Sequence, residues 1–173
     1  QALIQALPNV SLSFKKNSET GKAEIHLNGH NVEPLIRSLK VSEYVSPIAT
    51  VPEVRKKLVE QQQAMGEGQG VVMDGRDIGT VVFPKAALKI FLNASADERA
   101  KRRYRELVER GELVAYTDVL ANVMERDHID STRKDSPLKK AEDAIEIDNS
   151  EMNLEDQFHV ILQLAKDRIA GRV

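Results

Sequence analysis

Gly70-Val71-Val72-Met73-Asp74-Gly75-Arg76-Asp77-Ile78-Gly79-Thr80-Val81-Val82-Phe83-Pro84 carries an apolar run straight into a turn of two carboxylates, one arginine and two glycines. Val71 to Met73 reads as a fully buried strand, and open α/β sheets place their ligands at such strand exits. Asp74 closes the strand, which suits a carboxylate that holds magnesium directly or through water. It equally suits a strand-end carboxylate that caps the next turn. Gly75 and Gly79 allow close approach of backbone to a ligand, or serve the turn alone. Arg76 and Asp77 favour a site, because a charged pair at a sheet mouth costs desolvation energy unless something is recognised there. The Gly-rich phosphate loop and lysine that normally accompany such a strand are not found in these 173 residues.

Downstream, Leu88 to Leu92 reads as a second buried strand ending at Asn93-Ala94-Ser95. Ser95 caps a helix whose first turn holds Asp97 and Glu98 and which ends near Arg110, before Gly111. Tyr116 to about Asp127 is a further helix, Asp127 to Lys140 a mobile polar loop, and Ala144 to Asp148 the last strand. Asn153 caps a terminal amphipathic helix with Leu154, Phe158, Ile161, Leu162 and Ala165 on one face. Strands alternating with helices predict a parallel sheet. The glycines of Gly66-Glu67-Gly68-Gln69-Gly70 precede a strand, whereas phosphate loops follow one, so they read as a plain loop.

Upstream the pattern differs. Val10 to Phe14 and Ala23 to Leu27 alternate apolar and polar residues around the turn Asn17 to Gly21, which predicts a hairpin with one wet face. Asn28-Gly29-His30-Asn31-Val32 returns a short third strand, and helices follow at about Pro34 to Val45 and Pro52 to Met65. This antiparallel lobe reads as an insertion. Gln1 to Leu7 has helical spacing with no cap in front, so the chain is expected to begin inside an element, as a fragment or cleaved product.

Composition indicates one soluble globular domain with room for a small insertion. The net charge of −2 gives no support for a partner chosen by bulk electrostatics, whether nucleic acid or an anionic membrane. With no cysteine there are no disulfides, thiol nucleophiles or Cys-ligated metals. No apolar run approaches a membrane span and no signal peptide opens the chain, so a cytoplasmic location is expected.

A second charged constellation is Glu125 to Pro137. If the helix persists there, Arg126, Asp130 and Arg133 fall on one face at spacings of four and three. That face is either solvated with local ion pairs, or an arginine clamp for phosphate with a carboxylate for sugar hydroxyls. Arg99, Lys101, Arg102, Arg103 and Arg105 crowd another helix among Glu98, Glu106 and Glu109, and a mixed solvated face is expected; Arg102 and Arg103 are the two candidates for phosphate. His26, His30, His128 and His159 show no metal-ligand spacing, and Tyr44 and Tyr116 read as packing residues.

Asp74 to Pro84 resembles the bacterial cytidylate kinases, nucleoside monophosphate kinases that phosphorylate CMP and dCMP. The match continues through Leu88 to Ser95, Arg99 to Arg103, Glu125-Arg126-Asp127, Ser136-Pro137-Leu138 and Ala144 to Asp148, covering essentially the whole chain. The resemblance implies an α/β fold of the P-loop nucleoside monophosphate kinase type: a parallel sheet whose first, central strand is absent from this chain, with an inserted lobe of small antiparallel sheet plus helices. Residues 1–8 would be the remainder of a core helix, 9–65 the monophosphate-binding insert, and 66–173 the core, with a lid at about 112–140.

It also implies roles. Ser46, Arg55 and Asp77 match residues that hold the cytosine, where a carboxylate accepts from the exocyclic amine and repels the carbonyl of uracil. Arg126 and Asp130 match residues facing the ribose hydroxyls, Arg76 and Arg133 the arginines on the monophosphate, and Arg37 a further family arginine. Asp74 would serve magnesium, and Arg102 and Arg103 the phosphates of the co-substrate ATP. Asp74, Arg76 and Arg133 are the expected catalytic set, acting by alignment and charge screening. Partners would be small nucleotides, without nucleic acid or membrane, and the full-length enzyme is expected to be monomeric.

The family's Gly-rich loop with its lysine, an Asp-Ser-Gly and a Tyr-Arg would precede Gln1, so this chain alone is expected to be inactive. The alternative is a pyrimidine-nucleotide-binding pseudo-kinase or a fragment without catalytic activity.

Overall fold

The computed structural model describes residues 1–68 and 70–172; Gln69, inside the predicted loop, and Val173, at the end of the predicted core, lie outside the described residues. A short helix α1, Ala2–Ala6, leads through a 3-10 turn at Leu7–Asn9 into three antiparallel strands, β1 Leu12–Lys16, β2 Ala23–Leu27 and β3 His30–Asn31. The register places Phe14 opposite Ile25 and His26 opposite Asn31. Asn17 shapes the first turn: its Oδ1 accepts from the N–H groups of Glu19 at 2.9 Å and Thr20 at 3.0 Å. Asn28 and Gly29, at φ 50° and 84°, make the second, as a tight hairpin requires. The predicted hairpin and third strand are therefore present, although both faces remain largely open to solvent.

Helix α2, Leu39–Ala49, begins later and ends later than the predicted Pro34 to Val45, because Ser38 supplies the cap, its Oγ accepting from Val41 N at 3.3 Å. Residues 33–37 form turns instead. Helix α3, Pro52–Met65, matches its predicted bounds, with Pro52 in the first turn where a missing N–H is harmless.

In the remainder, β4 Ile90–Asn93 pairs in parallel with β5 Ile145–Asp148, Ile90 opposite Ile145 and Asn93 opposite Asp148. Between them lie α4 Ala96–Glu109, capped by Ser95, and α5 Tyr116–Thr132; α6 Leu154–Ile169 follows, capped by Asn153. The best-buried apolar cluster sits between α4 and α5, where Ala100, Leu107 and Val119 are fully removed from solvent and Leu39 of α2 packs against them. Tyr104 and Tyr116 meet edge to face at its margin, 5.9 Å between centroids, so Tyr116 packs as expected.

Three expectations are corrected. Val71 to Met73 is not a buried strand: the segment pairs with no strand among the described residues, and Val72 is fully exposed. A strand exists only through its ladder, and without a neighbour it remains an open segment. The predicted strand Leu88 to Leu92 forms two residues later and only half-buried, because it pairs on one edge alone. The predicted mobile loop from Asp127 is helical through Thr132, and Leu138 N then returns to Asp130 O at 2.7 Å, pinning the following segment to the helix. The apolar face of α6 keeps Leu154 and Phe158 exposed. No helix among the described residues is long and apolar enough to cross a membrane.

Candidate active site

The turn at Asp74 to Phe83 is built around the main chain of Asp77. Its carbonyl accepts from Val81 N at 2.9 Å, Phe83 N reaches Ile78 O at 2.7 Å, and Ile78–Val82 form one π-helical turn. Such wide turns recur at functional sites. Gly75 is required for closeness, since a Cβ there would lie 2.9 Å from Ile78 Cγ1.

The turn presents Asp77 inward, 6 % exposed, where Oδ2 accepts from Arg55 Nη1 at 2.6 Å. Arg55, on α3, also donates from Nε to Ala49 O at 3.0 Å, so the last turn of α2 fixes the guanidinium from behind. One turn of α2 earlier, Ser46 is buried and its hydroxyl has no partner among the described residues. Leaving such a group unpaired costs about 1–3 kcal/mol, which a ligand that pairs it would recover.

Asp130, on α5, bridges two arginines: Oδ1 accepts from Arg133 Nη1 at 3.0 Å, and Oδ2 lies 3.2 Å from Arg76 Nε. Arg133 also donates from Nε to Ser136 O at 2.8 Å, while its Nη2 is buried without a partner. Burial pushes the Arg133 pKa down, as does the nearby charge of Arg55, with Asp130 and Asp77 opposing them. Burial likewise lowers that of Arg126, helped by Arg76. Arg55 and Arg76 act on Arg133, and Arg76 and Arg103 on Arg126, against the carboxylates of Asp77, Asp127 and Asp130, an excess of two positive charges among these groups. A phosphate monoester carrying about −1.5 to −2 at neutral pH matches that excess.

Arg126 lies beside a cavity of about 140 Å³ shared with Ser42, Arg76, Arg99, Arg103, Asn122, Val123 and Asp127. Its Nη1 donates to Ser42 Oγ at 2.9 Å and its Nε is buried with no partner. Arg99 is held by Asp127 through two bonds of 2.9 and 2.6 Å, joining α4 to α5. The charge pattern of α4 predicts a mixed solvated face for Arg99, whereas the structure turns it into this cavity beside Ser42 and Asn122, which no sequence motif marks. The spacing of four between Asn122 and Arg126 was the available signal.

Of the remaining predicted residues, Arg103 reaches this cavity and the others stand apart. Asp74 is exposed, without an ion pair or hydrogen bond among the described residues. Arg37 is half-exposed and paired with Glu33. Arg102 points to the segment after β5, donating to Ser150 O at 3.1 Å, and Arg103 binds Glu106 and the Arg37 carbonyl. Arg102 and Arg103 therefore do not converge.

A parallel strand pair joined through helices, an antiparallel insert, and arginines from α3, α5 and the charged turn set around Asp77 and Asp130 fit a nucleotide phosphotransferase of the nucleoside monophosphate kinase class. A family model described as cytidylate kinase matches residues 1–167. A cytidylate kinase of Flavobacterium johnsoniae is 60 % identical over 167 residues, covering 96 % of this chain and 73 % of the relative. One of Flavobacterium psychrophilum is 57 % identical over 96 % and 74 %, and one of Parabacteroides distasonis 52 % over 94 % and 71 %. The chain belongs to the cytidylate kinase family. The alternative of a pseudo-kinase finds no support in these matches.

Proposed function

We propose that the turn at Asp74 to Phe83, with α2, α3 and α5, is the acceptor site of this kinase, residues 9–65 forming the acceptor insert and about 112–140 the lid. As a cytidylate kinase the protein moves the γ-phosphate of ATP to CMP or dCMP, with ATP as co-substrate. The Arg55–Asp77 pair carries the reading of the base. Arg55 pins one carboxylate oxygen of Asp77 at 2.6 Å, leaving the other to accept from the exocyclic amine of cytosine. The orphaned hydroxyl of Ser46 supplies a further polar contact to the base.

Arg76 and Arg133 take the monophosphate, with the unpaired Arg133 Nη2 as the preformed donor, while Arg126 and Asp130 face the ribose. Arg37 lies outside this cluster and joins only if the insert closes. Arg103, at the rim of the cavity, is better placed toward the phosphates of ATP than Arg102. The exposed, unpaired carboxylate of Asp74 fits magnesium, which such sites hold through one or two carboxylates plus substrate phosphates. An ion held by Asp74 would screen charge on the transferred phosphoryl group. The protein's own contribution is alignment: arginines fixed before substrate arrives lose little freedom on binding.

A coupled ADP-release assay across CMP, dCMP, UMP and AMP tests this reading. Turnover concentrated on CMP and dCMP is expected, and comparable turnover of UMP or AMP contradicts the base-reading assignment.

A further inference from the structure

Ser42 and Asn122 have no role in the scheme above, yet Ser42 touches the arginine assigned to the ribose and Asn122 holds Ser42. Arg126 Nη1 donates to the Ser42 hydroxyl at 2.9 Å, and that hydroxyl donates its single proton to Asn122 Oδ1 at 3.0 Å. A serine hydroxyl rotates to suit its partners; once its proton points at Asn122, its lone pairs are left for Arg126. Ser42 is 4 % exposed, so solvent has little access to either bond. Asn122 lies one helical turn before Arg126 on α5, while Ser42 is on α2. The three side chains therefore form a linear relay between the two helices, Arg126 to Ser42 to Asn122, and all three line the cavity together with Arg76. Arg126 Nε remains buried and unpaired, a donor held ready on a guanidinium whose orientation is already set.

We infer that Ser42 and Asn122 are positioning residues that aim Arg126 at the acceptor nucleotide. The inference rests on the reading that Arg126 binds the acceptor. Ser42 and Ser46 are the two buried residues of α2 and lie one turn apart on one face. The helix whose Ser46 contacts the base thereby also sets the arginine of α5, so that the insert and the lid helix meet the nucleotide in a fixed relation.

Steady-state kinetics on the full-length enzyme test this. Asn122→Ala and Ser42→Ala raise KM for CMP about fivefold with kcat largely kept, the loss of one hydrogen bond's worth of orientation. Asn122→Asp, which keeps the acceptor for the Ser42 hydroxyl, stays within about twofold of the parent. In an Arg126→Ala background, Asn122→Ala produces no further rise, because the group it aims is gone. Melting curves of every variant accompany the kinetics, and Ser42→Ala carries the comparison if Asn122→Ala does not fold. An equal rise from Asn122→Ala in both backgrounds, or no rise where Arg126→Ala itself raises KM, overturns the inference. An unchanged KM in Arg126→Ala overturns the reading of Arg126 and the inference with it.

Discussion

Arg55 and Asp77, 22 residues apart in the chain, form an ion pair of 2.6 Å with side chains only 13 % and 7 % exposed. Such burial is expensive unless further bonds hold the geometry, and here the Ala49 carbonyl holds Arg55 while the π-helical turn holds Asp77. The pair links the acceptor insert to the charged turn, and presents one carboxylate oxygen in a fixed direction.

Removing one partner strands the other. Arg55→Ala should therefore lower stability by about 3–5 kcal/mol, against less than about 1 kcal/mol for Arg37→Ala, whose pair with Glu33 is half-exposed. Urea unfolding of the two variants checks the contrast, and equal losses contradict the buried pair's structural weight.

Arg133 keeps two donors on Asp130 and Ser136 and leaves Nη2 for the ligand. Arg133→Ala should raise KM for CMP or cut turnover about ten- to hundredfold, and Arg133→Lys should not restore it, because an ammonium cannot reproduce the fork. Unchanged kinetics in Arg133→Ala return this segment to an ion-paired helix end without a substrate role.

Lys89, nearly buried, donates from Nζ to Pro84 O at 2.6 Å and to Asp143 Oδ1 at 2.8 Å, tying the end of the site turn to the segment before β5. That hydrogen bond holds the Asp143 pKa below its usual range. A depressed carboxylate contributes stability that is fully present above its unfolded value of about 4 and is lost as pH falls through the folded value. The Tm gap between the parent and Asp143→Asn should therefore be open at pH 6 and close as pH drops below about 4. A gap that stays constant to low pH contradicts the pairing.

Local signals reached far in this chain. Alternation set β2, Pro52 set the start of α3, and Ser95 and Asn153 set the starts of α4 and α6. The charged turn was legible because a charged pair such as Arg76 and Asp77 beside an apolar run costs desolvation energy unless something is recognised there, whether or not that run pairs as a strand. Val71 to Met73 was misread because an apolar run predicts a strand only where a neighbour pairs with it. The continuation of α5 past Asp127 depends on the buried Arg133–Asp130 pair and on Leu138 returning to Asp130, contacts that no window of sequence displays. Ser42 was invisible for the same reason, since its partners Arg126 and Asn122 lie 84 and 80 residues away.

The most direct measurement is the ratio of kcat/KM for CMP over UMP in the full-length enzyme and in Asp77→Asn. A carboxylate only accepts, whereas an amide also donates and tolerates the uracil carbonyl. The ratio should fall by about tenfold or more in the variant, with UMP turnover retained or improved. Equal loss for both nucleotides contradicts the assignment of Asp77 as the reader of the base.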